Sequence, residues 1–460
     1  MPERTDVIVL GMGVGGEEVA ECLATNGLQV VGIENHLVGG ECPYYGCVPT
    51  KMMIRADDML AEGRRIPGFA GSSTVTPSWN PVAQRIRNVA TDHWDDRVAV
   101  ERFETKGGRF VRGTGKLDGP GKVAVNGSVY EATRGVVIAT GTAPAVPPIP
   151  GLNEIRYWTN RDAVKAEELP STLIVLGGGA IGLELGQAMA RFGVKVTIVE
   201  GMNRVLATEE PEASAVLGEV LKRDGIELCL NARAQSVQPH KDGVAVTLDG
   251  GRTITSEQLL VATGRRANLR DIGLETVGLD PSVRLLEPDD HLRVGERLWA
   301  IGDVTTSGGF THMAIYHAGI VINDILGNRV PGADYTAKPR VTFTDPEVGA
   351  AGLTEEQARK QNINVRTAIQ KASATSRGWI HGPGNDGLIK VVEDADRGVL
   401  VGATTMGPRG GDILGIFELA IKKKVPTDEL RHLIYAYPTF YRGVGEAVHN
   451  LGRDIHTPLR

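Results

Sequence analysis

Residues 6–34 read DVIVLGMGVGGEEVAECLATNGLQVVGIE, and residues 171–200 read STLIVLGGGAIGLELGQAMARFGVKVTIVE. Each stretch is an apolar strand, a glycine-rich turn, a helix, and a second strand that closes on an acid. The glycines are Gly11, Gly13 and Gly16 with Glu34 in the first copy, and Gly177, Gly179 and Gly182 with Glu200 in the second. One glycine-rich turn alone says little, but here each follows a strand, opens a helix and has its acid at the end of the next strand. The first glycine of such a turn permits a tight bend, the second admits a pyrophosphate against the backbone, and the third lets helix pack on strand. Helix N–H groups and the helix dipole then hold a diphosphate. The acid accepts hydrogen bonds from ribose hydroxyls and repels a 2′-phosphate. The bland alternative is two packing turns with no ligand. The duplicated context favours two dinucleotide sites on one α/β chain.

A chain of 460 residues divides into about three domains of ordinary size. The expected boundaries are 1–150, 151–267, 268–336 and 337–460, the first and third being two parts of one domain. VVIATGTAPAVPPIPG (136–151) is a strand running into a proline-rich connector, and LLVATGRRAN (259–268) echoes it. LWAIGDV (298–304) is a short apolar strand ending in Gly302 and Asp303. After about Ala337 the pattern changes to strand-like PRVTFT, GLIKVVED and GVLVGATTM with helix-like TEEQARKQ and GGDILGIFELAIKKK. Strands with helices on one side predict an α+β C-terminal domain.

Hydrophobic content of 41% and charged content of 23% fit a globular chain, and a net charge of −6 gives no reason to expect nucleic acid as a partner. No apolar run reaches the roughly 18 residues of a membrane span. MPERTDVIVLG enters a strand pattern at once, which leaves no room for a secretion signal. Four cysteines, Cys22, Cys42, Cys47 and Cys229, are too few to staple a secreted fold of this size. A reducing cytoplasm is the expected setting.

Cys42 and Cys47 lie in GGECPYYGCVPTK (39–51). Five residues of ideal helix rise about 7.5 Å and turn about 500°, so on one helix their side chains point apart. A disulfide needs Cα atoms roughly 4.4–6.8 Å apart. If the two bridge, at least one lies outside regular helix. Pro43 suits a first helical turn, and Gly46 permits a further distortion. A zinc site needs two more ligands, and no Cys-x2-Cys or His-x3–5-His spacing accompanies the pair. A structural bridge over so small a loop adds little. Redox chemistry is the preferred reading, and a thiol near a helix N-terminus has the lowered pKa it requires.

Taken together, the chain resembles the flavin-dependent pyridine nucleotide–disulfide oxidoreductases, which include dihydrolipoamide dehydrogenase, glutathione reductase and mercuric reductase. The resemblance rests on Gly39, Gly40, Cys42, Cys47, Pro49, Thr50 and Lys51, on both glycine-rich turns, both ATG strands and the GD strand. It implies FAD in the first domain, with Gly11, Gly13, Gly16, Glu34, Gly40, Lys51, Gly115, Thr140, Gly141, Asp303, Thr311, His312 and Ala314 around it. It implies a nicotinamide cofactor on Gly177, Gly179, Ile181, Gly182, Glu200 and Gly264. An acid at Glu200, where NADPH-using relatives carry arginine, favours NADH, while Arg204 nearby keeps NADPH as the alternative. The resemblance further implies that Cys47 faces the flavin as a charge-transfer thiolate, that Cys42 attacks substrate, and that Lys51 and Glu184 form an ion pair beside the flavin. The bland alternative is a surface lysine and a solvent-facing helix glutamate. A homodimer completed by the C-terminal domains is also implied.

The family pattern breaks at YAYPTFYRGVGE (435–446). Many disulfide-reducing relatives carry a histidine before the proline and a glutamate five positions later. Here those positions are Tyr437 and Arg442. Tyrosine titrates near 10 and histidine near 6.5, so an anionic tyrosine base at neutral pH costs about 5 kcal/mol more. Tyr437 still serves as a hydrogen-bond or proton donor, or else as a packed aromatic with its hydroxyl on the backbone. His312, His317, His449 and His456 are read as structural or surface residues, and Tyr44 and Tyr45 either narrow access to the thiols or pack. Mercuric reductases also lack the histidine but carry a C-terminal cysteine pair and an N-terminal metal-binding domain. This chain has no cysteine after Cys229, so mercury is not the leading substrate.

The expected function is electron transfer from NADH through FAD to a Cys42–Cys47 disulfide. The small-molecule acceptor is then one needing no His–Glu relay: a soft metal ion, a quinone or an atypical disulfide. Dihydrolipoamide dehydrogenase or a low-molecular-weight disulfide reductase using Tyr437 is the alternative. A flavin reductase bypassing the cysteines is another, and a nonenzymatic redox sensor or complex subunit is the reading from a different class. No metal site is expected.

Overall fold

The computed structural model describes residues 1–452, which group into two compact units. Unit 1 holds 1–50, 83–145 and 264–334; unit 2 holds 51–82, 146–263 and 335 onward. His456 lies outside the described residues.

Unit 1 is built on an eight-stranded sheet. Its parallel part runs Arg109–Arg112, Val30–Glu34, Glu3–Leu10, Ser128–Ile138, Leu298–Ala300. The alternation of the first strand decides the two cores. Val7 and Val9 face a cluster made with helix Val14–Thr25 and helix Thr311–Leu326. Ile8 and Leu10 face the opposite cluster with Val123, Leu274 and Leu298. The short strands after the two ATG turns, Thr142–Pro144 and Arg265–Ala267, pair antiparallel.

Unit 2 contains a second parallel sheet, ordered Glu227–Cys229, Lys195–Val199, Thr172–Leu176, Gln258–Val261. Helix Ala180–Arg191 follows the central strand, and a three-stranded antiparallel sheet (Ala234–His240, Gly243–Leu248, Thr253–Ser256) shares a core with it through Val246. The C-terminal part is a five-stranded antiparallel sheet, Pro339–Thr342, Glu347–Gly352, Val399–Gly407, Leu388–Asp394, Val365–Lys371. Helices Gly415–Lys423, Thr427–His432 and Arg442–Asn450 pack on it through Phe417, Leu430 and Val444. The α/β class, the two Rossmann-type sheets and the α+β C-terminal domain are therefore all present.

Among the described residues, no helix is long and apolar enough to cross a membrane.

Candidate active site

The first glycine-rich turn is shaped by close approach. Gly11 has φ +98°, and a Cβ there would lie 2.4 Å from the Ala139 carbonyl oxygen; one on Gly16 would lie 2.0 Å from the oxygen of Gly11. A Cβ on Gly13 would meet nothing within 4 Å, and no side chain caps the helix that follows. The N-terminus of a 12-residue helix thus opens onto space of the kind a diphosphate fills. Glu34 is oriented by two backbone donors, the N–H of Met12 and that of His36, both at 2.8 Å.

The second turn repeats this plan. A Cβ on Gly177 would lie 2.4 Å from the Ala262 oxygen and one on Gly182 2.1 Å from that of Gly177, while Gly179 is open. Glu200 accepts from Gly178 N–H at 2.6 Å and Met202 N–H at 2.7 Å. Ile181 lies in the first helical turn behind it. Arg204 donates to the carbonyls of Ala207 and Glu209, at 2.7 and 3.0 Å. Both turns fit dinucleotide cofactors, and their two acids are held alike.

Of the other residues expected around FAD, Gly40, Gly115, Thr140, Gly141, Asp303, Thr311, His312 and Ala314 lie within unit 1, whereas Lys51 falls in unit 2. Gly40 (φ +67°) runs against the first turn, where its Cβ would sit 2.9 Å from the Gly13 Cα, and Gly115 packs on Leu10. Thr140 and Asn268 exchange hydrogen bonds of 2.9 and 2.8 Å. Gly141 is open, as is Gly264, which is expected at the nicotinamide cofactor but lies in unit 1, apart from the other residues expected there. Asp303 accepts from Thr142 at 3.0 Å and from Gly309 N–H at 3.1 Å. Thr142 in turn accepts from Arg265 Nε at 2.7 Å, and Arg265 lies 3.5 Å from the Glu41 carboxylate. Sequence reasoning missed Thr142 and Arg265. The signal was there, because each directly follows an ATG turn. His312 is exposed and stacks on Phe310, and Ala314 lies where helix Thr311–Leu326 meets Gly15. His317 is buried and accepts the Gly302 N–H at 3.1 Å, a structural role as expected.

The cysteine loop is not one helix. Cys42 lies in the short helix Glu41–Tyr44, the chain breaks at Tyr45 (φ −138°, ψ −7°), and Cys47 opens helix Cys47–Arg65. The amides of Tyr45 and Gly46 both donate to the Glu41 carbonyl, at 2.8 and 2.6 Å. Both cysteines are thus helical, not outside helix as a bridged pair on one axis would require, but they sit on two separate helices, and the break between them takes them off a common axis. Cys47 is exposed and Cys42 half-buried. The Cys47 sulfur lies 3.3 Å from the Thr311 hydroxyl. Tyr44 and Tyr45 are buried, so of the two readings they pack. Cys22 packs on the unit 1 core and Cys229 is buried. No metal-binding cluster occurs among the described residues.

In unit 2, Lys51 Nζ lies 2.8 Å from Glu184 Oε2 and 4.5 Å from the centre of the Phe343 ring. Glu184, only 6% exposed, is not the solvent-facing residue of the bland reading, and its other oxygen accepts the Phe343 N–H at 2.8 Å. Tyr437 is 67% exposed, so it is not a packed aromatic. The Arg442 guanidinium sits 5.4 Å over its ring. The packed role falls to Tyr435, whose hydroxyl donates to the Leu430 carbonyl at 2.9 Å. His449 bonds the Gly445 carbonyl at 2.7 Å.

Comparison with known proteins agrees with this geometry. Residues 5–318 match the pyridine nucleotide-disulphide oxidoreductase family, and residues 338–448 match its dimerisation domain. A mercuric reductase of Staphylococcus aureus is 30% identical over 98% of this chain and 83% of its own length. A dihydrolipoyl dehydrogenase of Geobacillus stearothermophilus is 32% identical over 98% and 97%. The crystal structure of LpdA from Mycobacterium tuberculosis superposes with a TM-score of 0.85 at 26% identity, covering 97% of this chain and 99% of that one. The chain belongs to the pyridine nucleotide-disulphide oxidoreductases, enzymes that use FAD and NAD(P)H.

Proposed function

We propose that the enzyme passes electrons from NADH to a Cys42–Cys47 couple, and from there to an acceptor that needs no His–Glu proton relay. Soft metal ions and quinones fit that description, as does an atypical disulfide. The observation carrying this reading is the Tyr437–Arg442 pair: a guanidinium stands over the ring where a proton relay needs a carboxylate. Arg442 instead faces Glu446 at 3.8 Å, one turn on along its own helix. A neutral phenol beside a cation is a poor base.

Bound FAD would supply hydride acceptance and electron transfer to a disulfide. Residues 1–150 and 268–336 would hold it, with Glu34 and Asp303 supplying carboxylate acceptors for its hydroxyls, and residues 151–267 would hold the nicotinamide cofactor. Cys47, at the start of a 19-residue helix and within reach of the Thr311 hydroxyl, is suited to remain a thiolate. Cys42 is the partner thiol that meets the acceptor. The Lys51–Glu184 pair keeps a positive charge fixed one helical turn after Cys47. Glu200 with its two N–H donors, and Arg204 committed to backbone carbonyls, support NADH over NADPH. The dimerisation domain supports a homodimer, and exposed Ile434 and Trp379 (93% and 78%) are apolar surface for such an interface. Scarce cysteines support a cytoplasmic setting.

The test is an acceptor screen on the FAD-loaded protein with NADH and NADPH, comparing wild type and Cys42→Ser. Lipoamide, glutathione disulfide, quinones, Cu²⁺ and Hg²⁺ are included. Turnover with a metal ion or quinone that Cys42→Ser abolishes supports the proposal. Full turnover in Cys42→Ser shows that electrons bypass the couple.

A further inference from the structure

Tyr44 and Tyr45, between the two cysteines, are each fastened to a different flank of unit 1. Tyr44 is 7% exposed. Its carbonyl accepts from Trp94 Nε1 at 3.2 Å, and its hydroxyl donates to the Asp95 carbonyl at 3.2 Å. Burial and the neighbouring Asp96 push the Tyr44 phenol up to about 12, so it stays a donor. Tyr45 is 2% exposed; its hydroxyl lies 3.0 Å from His36 Nε2, and the two rings stack at 5.6 Å with planes 6° apart. The His36 backbone N–H in turn holds Glu34.

The segment that grips Tyr44 is strained. Asp92, His93 and Trp94 have φ of 44°, 59° and 60°, a left-handed run that L-residues avoid. Directly before it, Ile86–Ala90 forms a π-helical turn, a feature that collects at functional sites. Such backbone persists only where its surroundings over-determine it. Tyr44 contributes two hydrogen bonds to those surroundings, beside the Arg87 Nε bond to His93 Nδ1 at 3.2 Å and the Asp95 N–H bonds to Thr91 and Asp92 within the segment.

We infer that Tyr44 and Tyr45 are positioning residues for the Cys42–Cys47 couple, holding the four residues between the cysteines in their closing geometry through the Trp94–Asp95 clasp on one side and His36 on the other. This rests on the redox reading of the two cysteines. A loop held in place whether or not the sulfurs are joined gives the dithiol little freedom to gain on reduction. Preorganisation of this kind favours the disulfide. Loosening the loop releases the dithiol form and makes the couple easier to reduce.

The experiment equilibrates FAD-loaded wild type, Tyr44→Phe, Tyr45→Phe and the double variant with a reference dithiol couple, and traps free thiols to count the reduced fraction. FAD content and the rate of flavin reduction by NADH are read in parallel, which separates a shift in the couple from a loss of cofactor. The double variant is expected to move the equilibrium about tenfold toward the dithiol, about 30 mV for two electrons, and each single variant by part of that. Should the double variant fail to fold, the single variants carry the test. Dithiol–disulfide equilibrium constants within twofold of wild type in all variants that hold FAD overturn this inference alone. A wild type in which Cys42 and Cys47 do not titrate as a couple, with Cys42→Ser as control, overturns the functional reading beneath it.

Discussion

The Thr311 hydroxyl lies 3.3 Å from the Cys47 sulfur, and each residue is the first of a long helix, Thr311–Leu326 and Cys47–Arg65. A thiolate at Cys47 therefore gains a hydroxyl donor in addition to its own helix N-terminus. A hydrogen bond to a charged group contributes about 1.5–3 kcal/mol, equivalent to roughly one to two pKa units. Thr311→Val should raise the Cys47 thiol pKa by about that much, measured from the pH dependence of alkylation in the reduced enzyme. Thr311→Ser should restore it. An unchanged profile in Thr311→Val means the hydroxyl does not act on the thiolate.

Arg191 is the centre of a buried charge network in unit 2. It donates to Asp57 and Asp345 at 2.7 Å each and to Asp224 at 3.2 Å, with Asp58 at 3.6 Å. Arg65 also pairs with Asp345. Carboxylates outnumber cations, so two, Asp57 and Asp58, are driven toward neutrality, Asp58 up to about 6 by burial and the neighbouring Asp345. Burial, only partly offset by Arg191, pushes Asp57 up to about 7, while at Asp345 the same burial is outweighed by Arg191 and Arg65, which hold it low. Between about pH 4 and pH 7 the unfolded chain has released the Asp57 proton and the folded one keeps it, so stability falls as pH rises across that window and is flat above it. Asp58 contributes with the same sign up to about pH 6, so Asp57→Asn should reduce this slope in denaturant melts and remove the part between about pH 6 and pH 7. Arg191→Met should cost about 3–5 kcal/mol at pH 8, and less at pH 5 where Asp57 is neutral. Equal losses at both pH values would falsify the assignment of the slope to Asp57.

The parts of this architecture legible in the sequence are those where backbone geometry demands a residue type. The two glycine-rich turns required close approach at Gly11, Gly16, Gly177 and Gly182, and the unbroken apolar run at 7–10 fits a strand buried on both faces. The Arg191 network was not legible, because Asp57, Asp224 and Asp345 are far apart in the chain and each alone looks like a surface acid. The left-handed run at Asp92–Trp94 was hidden too, having no glycine or asparagine to announce it. Strands Glu347–Gly352 and Val365–Lys371 went unnoticed because small residues in one and alternating polar residues in the other weaken the apolar signal. Tyr44 and Tyr45 were visible as residues, but their partners Trp94, Asp95 and His36 come from two separate stretches.

In the proposed function Glu200 and Arg204 bear oppositely on the choice of nicotinamide cofactor. Glu200 presents a carboxylate held by two N–H donors, whereas Arg204 is engaged by two carbonyls. Glu200→Ala should raise KM for NADH about tenfold, the loss of roughly 1.4 kcal/mol of charge-assisted hydrogen bonding. KM for NADPH should fall or stay level as repulsion of the 2′-phosphate is relieved. Arg204→Leu should leave the NADH-to-NADPH ratio unchanged. Steady-state kinetics with both cofactors decides, and a ratio that follows Arg204 instead of Glu200 refutes the assignment.

The missing proton relay is best tested by restoring it. With Arg442 5.4 Å from the Tyr437 ring, a histidine placed at 437 would face a cation. In a water-like medium that repulsion is about 0.8 kcal/mol against its protonated form, enough to lower its pKa by about half a unit. Tyr437→His alone should therefore give only a small gain in lipoamide turnover. Adding Arg442→Glu reverses the sign of the neighbouring charge and supplies the carboxylate that orients the imidazole. General acid–base catalysis contributes about 10²–10⁴-fold when fully developed, and the double variant should recover at least tenfold in disulfide turnover, with a new ionisation near 6.5–7 in its pH–rate profile. Quinone or metal-ion turnover, which needs no such relay, should change less than twofold. If lipoamide turnover stays at the wild-type level while FAD and nicotinamide chemistry are intact, the absence of the dyad is not what excludes disulfide substrates, and the selection lies in access to Cys42 instead.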